Sequence, residues 1–211
     1  MFDSRHLMVA REMERDREAT RTKLMDAVER IAIRDGFESC GVNAIAHEAG
    51  VDKVLIYRYF GGVAGLVSTV IAQRAAWPNT PGVSFGDGVS PGSSFSTALI
   101  TQARDIRARP LAQHAIAWEA SGHADHVVAR PVTEGRETQF AALASALHER
   151  APSRLDVDAV GALVAAGLTI LAARTDGVPF FGLDVQKDAD WRRIEKAAGT
   201  ILRALLDPSD A

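Results

Sequence analysis

The stretch 41–60, GVNAIAHEAGVDKVLIYRYF, constrains the fold more than any other part of this chain. Val42, Ile45, Ala46 and Ala49 recur at helical spacing and predict a short helix with one apolar face. Gly50 ends it, because a residue without Cβ takes the left-handed conformation that turns the chain sharply. Asp52 then stands where a carboxylate can cap a second helix. In that second helix Ile56, Tyr59 and Phe60 continue the core, while Lys53, Val54, Tyr57 and Arg58 face outward. Two short helices joined by a tight glycine turn, the second with a cation-and-aromatic outer face, make a helix-turn-helix pattern. On such a face Lys and Arg can neutralise phosphates or donate to guanine, a Tyr hydroxyl can reach a phosphate, and the methyls of Val54 and Leu55 can touch thymine. An ordinary helical corner with a solvated side has the same spacing, so the pattern alone leaves both readings open.

Around this stretch the chain reads as helices throughout. Residues 1–19 mix arginines and acids with few large apolar side chains and predict a mobile or fraying arm, helical towards its end. Thr20 is placed to cap a helix whose Leu24, Ala27, Val28 and Ile31 form one stripe, ended by Gly36, with Phe37 as a core anchor. A fourth helix carries Leu66, Val67, Val70 and Ile71 and stops at Trp77-Pro78. Residues 78–92, rich in Pro, Gly and Ser, predict a loop, either a flap over a ligand site or an unordered segment. Five helices follow: one with Phe95, Leu99 and Ile106; one opened by Pro110 with Leu111, Ala115 and Trp118; one over 132–150 stopped by Pro152; one over 156–173; and one over 188–207. No alternation suggests a strand. The fold class is all-α with about nine helices, divided into an arm (1–19), a head (20–66) and a body (67–211).

Composition bounds the function. A hydrophobic share of 47% with 24% charged residues is that of a soluble globular protein. A net charge of −3 supplies no general attraction to nucleic acid, so any such affinity must be local. The single cysteine, Cys40, excludes an internal disulfide and fits a reducing cytoplasm. No leader is apparent, and the apolar run 159–173 is shorter than the roughly 20 residues a membrane helix needs. No phosphate loop, nucleophile elbow or metal motif of established spacing occurs, so neither an enzyme nor a cofactor is expected. His114, Glu119, His123 and His126 lie close in sequence, but histidines in such a stretch are usually solvated, and no metal site is expected there.

IAHEAGVDKVLIYRYF, preceded by TRTKLMDAVERIAIRDGFE, resembles the N-terminal DNA-binding domain of the TetR family of transcriptional regulators over about residues 20–66. The resemblance implies a three-helix head that places Asn43, Lys53, Val54, Leu55, Tyr57, Arg58 and Tyr59 at double-stranded DNA. It also implies a helical body that binds a small effector and pairs two subunits through its last two helices. Trp77, Phe95, His114, Trp118 and Phe140 fall on inward stripes, where they are either plain core or the lining of an apolar pocket. With the resemblance they become effector-site candidates, with Arg104 and His114 orienting the ligand. Helix eight is apolar over more than one face, which calls for cover on several sides. Val160, Leu163, Val164, Gly167, Leu168 and Leu171, with Ile194, Ala198, Ile201 and Leu205 of helix nine, are the dimer-interface candidates.

Two departures from the family pattern weaken the DNA side. Gly41 and Ala44 stand where the family has a capping box, and Gly62-Val63-Ala64 replaces a Ser-Lys-Glu whose lysine meets a phosphate. Residues 1–60 hold ten basic against eleven acidic side chains. The expected function is a dimeric repressor of a palindromic operator released by a small apolar effector. The alternative is a ligand-binding helical dimer of the same fold that has weakened or lost operator binding.

Overall fold

The computed structural model describes residues 4–77, 88–122, 124, 126–150 and 155–207. The regular structure of these residues is helical: α1 (Ser4–Asp35), α2 (Val42–Ala49), α3 (Val54–Phe60), α4 (Val63–Arg74), α5 (Pro91–Ala108), α6 (Pro110–Ala120), α7 (His126–His148), α8 (Val157–Ala173) and α9 (Asp188–Leu206). A 3-10 turn, Phe37–Ser39, joins α1 to α2, and no strand occurs among the described residues. No single helix among them is long and apolar enough to cross a membrane.

The head is built as the apolar spacing predicts. Leu24, Ala27 and Val28 of α1, Ile45 of α2, Ile56 of α3 and Leu66 of α4 are all fully buried in one cluster. Gly50 closes α2 with a left-handed φ of 65°. Asp52 Oδ1 accepts from the Val54 N–H at 2.8 Å, capping α3 as expected.

Two boundaries differ from expectation. Residues 4–19 are helix continuous with the rest of α1, against the expectation of an arm that is helical only towards its end. Thr20 is therefore no cap, and its hydroxyl donates back to the Asp16 carbonyl at 2.8 Å inside the helix. α7 begins at His126, six residues before the expected start, and runs through Pro131. Proline there forgoes one backbone hydrogen bond near the helix start, and Val128, Ala129 and Val132 bury the turns on either side. Of the expected loop 78–92, residues 78–87 lie outside the described residues, as do His123 and the Pro152 stop.

In the body, α5 is the central rod, packed against both α8 and α9. Its start is held by Asp207 at the end of α9, whose carboxylate accepts from Ser90 Oγ and from the Gly92 N–H, each at 2.7 Å. Farther along, Arg104 Nε and Nη2 donate to Glu195 of α9 at 2.7 and 2.6 Å. Asp156 caps α8 through the Ala159 N–H. Gln113 of α6 donates to the Ala172 carbonyl at 2.7 Å, tying α6 to the end of α8.

This packing sorts the interface candidates. Leu168 and Ala198 are 4% and 7% exposed, so both are packed into the core of the single chain. Leu163, at 76% exposure, and Ile201, at 50%, project outward, with Gly167 and Leu205 also exposed. Val160, Val164, Leu171 and Ile194 are half-buried against the core. Leu168→Glu should therefore unfold the body, through an unpaired buried charge that costs several kcal/mol. Circular dichroism of the purified variant checks this; a folded monomer with native melting would place Leu168 at an interface instead.

Candidate functional site

The outer face of α3 is set by what holds its inner face. Ile56 is fully buried, and Leu55, Tyr59 and Phe60 are half-buried against the same cluster. Arg21 of α1 donates to the Tyr59 carbonyl at 2.9 Å, with its guanidinium 4.5 Å from the Phe60 ring centroid. One side chain thus satisfies a free carbonyl at the end of α3 and covers the adjacent ring. The orientation of α2 is set by Glu48, which accepts from Arg30 Nε at 2.7 Å and from Arg34 Nη1 at 3.3 Å. These two arginines hold the Glu48 carboxyl below its usual range.

What remains outward is Asn43, Lys53, Val54, Tyr57 and Arg58, all exposed. Val54 and Tyr57 are more than half exposed. Tyr59 is on the inner side, so the sequence candidates Tyr59 and Leu55 present only part of their surface. Arg17, Arg21, Arg30 and Arg34 are each ion-paired to acids of α1 or α2. Among the described residues no ion pair engages Lys53 or Arg58, so the unneutralised cations of the helix-turn-helix lie on the exposed face of α3.

Among the described residues, α1 and the turn after it pack against α4 and α6. Arg74, at the end of α4, bridges to Asp26 and Glu29 of α1 at 2.8 and 2.7 Å. Phe37, in the turn after α1, stacks on Trp118 of α6 with ring centroids 5.1 Å apart.

The body encloses a half-open cavity of about 360 Å³ between α7 and α8, with Phe95 of α5 at one side. Phe140, Leu143, Leu147, Val157, Ala165 and Thr169 line it, along with small residues of α8. Of the effector-site candidates, Phe95 and Phe140 line this space. Trp77 lies behind Phe140, edge-on at 5.7 Å, and packs so closely on α7 that a Cβ at Gly135 would stand 2.7 Å from its own. Trp118 is at the head–body joint. Arg104 is committed to Glu195. His114 is half-buried off the cavity, its pKa pushed down by burial. Arg136 and Thr169 are lining residues missed from the sequence. Arg136 precedes Phe140 by one helical turn, a spacing that could have placed it on the same face. No group of three or more His, Cys, Asp or Glu able to hold a metal occurs among the described residues.

Residues 24–70 match the family profile of bacterial regulatory proteins, tetR family. The chain has the TetR-family fold. GusR of Salmonella enterica superposes with a TM-score of 0.62 at 18% identity, covering 90% of this chain and 96% of that one. HlyIIR, a hemolysin II transcriptional regulator, gives 0.59 at 16% identity over 91% of this chain and 99% of its own. A TetR-like transcriptional regulator from Rhodococcus sp. RHA1 gives 0.57 at 19%, covering 88% and 95%. No curated protein sequence matches the chain. These likenesses extend the TetR-family plan from the head to the body.

Ala165 faces the cavity from α8 and is buried. Ala165→Phe should fill the space and leave the melting temperature within a few degrees, because the added ring occupies volume already empty. Binding of an uncharged apolar dye such as Nile red should be lost with it. Unchanged dye binding by a folded variant would show that apolar molecules do not enter here.

Proposed function

We propose that the chain is a dimeric transcriptional regulator that binds a palindromic operator through α3 and releases it when a small ligand occupies the cavity between α7 and α8. The observation that carries this reading is the α3 face, where unpaired Lys53 and Arg58 flank exposed Val54 and Tyr57 on a helix held rigidly from behind. In this reading Asn43, Lys53, Tyr57 and Arg58 meet DNA, and two copies of α3 enter successive major grooves about 34 Å apart. The dimer forms through the outward apolar surface of α8 and α9, where Leu163, Ile201 and Leu205 supply surface suited to burial. Trp118 on Phe37 supplies a route from body to head, since α6 touches both. The ligand acts by differential affinity for the arrangement that cannot span two grooves.

A second reading, a ligand-binding dimer with little operator affinity, is favoured by one observation. Four arginines of α1 are ion-paired to acids of α1 and α2. Selection of bound fragments from random DNA by the purified protein separates the two readings: enrichment of a palindrome supports the first and none supports the second. With two unpaired cations per α3 face, log K against log salt should fall with a slope of about −3 to −4 for the dimer. Lys53→Ala should reduce operator affinity by about 1–3 kcal/mol and relax preference at one position, if a base edge is its partner. A uniform loss on all sequences would instead assign Lys53 to a phosphate.

Assembly is tested separately. Leu163→Glu should convert dimers to monomers with the fold intact, because its side chain is solvated in the single subunit. Sedimentation equilibrium reads the result, and a dimer of unchanged strength would move the interface away from this face of α8.

A further inference from the structure

The cavity between α7 and α8 has apolar walls and, among its described lining residues, a single cation. That cation is Arg136, one turn before Phe140 on α7. Its Nη1 donates to Glu119 Oε2 at 2.7 Å and its Nη2 to Oε1 at 2.9 Å, while Thr133 Oγ1 donates to the same Oε1 at 3.3 Å. A guanidinium has five N–H groups in a planar fork, and an end-on pair uses two of them. The Nε–H edge of Arg136 has no acceptor among the described residues. The other charged lining group, Asp158, lies at the rim with its side chain 68% exposed, 3.4 Å from His148. Water screens Asp158 well, whereas the Arg136 side chain is only 28% exposed; Glu119 balances its charge, so what Arg136 offers the cavity is the open N–H edge of a charged donor.

We propose that the ligand of this cavity is an amphipathic carboxylate, its tail lying along Leu143 and Leu147 and its head on the Nε edge of Arg136. The proposal rests on the reading of this cavity as the effector site and adds the ligand class. It also supplies a release step. Two carboxylates sharing one guanidinium repel each other, so a bound anion weakens the hold of Arg136 on Glu119. Glu119 is on α6 beside Trp118, which stacks on Phe37 of the head. The ligand therefore loosens the helix that joins cavity to head.

Calorimetric titration of the full-length protein with octanoate, octanol and octyltrimethylammonium, three probes with one tail and three head charges, tests the class. Octanoate should bind at least about tenfold more tightly than octanol, the scale of one charge-assisted hydrogen bond, and the cation should bind most weakly. Glu119→Gln keeps a hydrogen-bonding partner for Arg136 but removes the competing charge; it should tighten octanoate binding several-fold and leave octanol unchanged, which a merely structural role for Glu119 would not do. Arg136→Gln should abolish the preference. The double variant Arg136→Gln/Glu119→Gln, which removes both charges of the pair, should do the same if the single variant folds poorly. Equal binding of octanoate and octanol by the native protein, or a preference that survives in the double variant, overturns the anion assignment while leaving the cavity a ligand site. Binding of none of the three overturns the cavity reading together with the proposal.

Discussion

The head depends on burial that its short helices cannot supply alone. α2 has eight residues and α3 seven, both below the roughly 12–15 at which an isolated helix becomes even marginal in water. They exist because Ile45 and Ile56 are taken fully into a core made with α1 and α4, and because Asp52, Gly50 and Arg21 satisfy backbone groups at their ends. Rigidity of the outward face follows from this. A helix fixed by buried side chains on one side and by a guanidinium on a carbonyl of its last turn presents Lys53, Tyr57 and Arg58 in one arrangement, the preorganisation that a groove-reading helix requires.

Much of this was legible in the sequence because the signals were local. Helical spacing of apolar residues, a glycine needing positive φ and a capping aspartate each act within a few residues. They placed α2, α3 and the core face of α4 correctly. Where two local signals competed, the reading failed. Thr20 looked like a cap, but residues 4–19 contain neither Gly nor Pro, and pairs such as Arg17 with Glu14 and Arg21 with Glu18 support a continuous helix across it. The expected start of α7 at 132 fell short too, since burial of Val128 and Ala129 before Pro131 outweighs one forgone hydrogen bond.

Partner choice in the body was not legible, for a different reason. A stripe tells which side of a helix is apolar, not what covers it. Helix α8 is apolar nearly all round, so Leu168 and Leu163 read alike in sequence; only the packing of α5 and α6 shows that the first is core and the second is bare. Arg104 and His114 looked like the polar anchors of a pocket because they share helices with pocket-sized aromatics. The cation that lines the cavity is Arg136, while Arg104 finds Glu195 ninety-one residues away, a partnership no local spacing could signal.

Electrostatics links the two ends of the molecule. In the head, arginines paired to acids fix helix orientation, so Arg30 and Arg34 clamp Glu48 rather than meeting phosphates. Neutralisation of phosphates supplies most of nonspecific DNA affinity. On the proposed function, a head that assigns its arginines this way has a weak nonspecific component, and a larger share of operator affinity would come from base contacts of α3 and from a second subunit. Losing one half-site then removes proportionally more binding than it would in a strongly basic head. On the proposed function, a modest shift of α6, read through the Trp118–Phe37 stack, would have a large effect on operator occupancy, because little nonspecific attraction would hold a misaligned dimer on DNA.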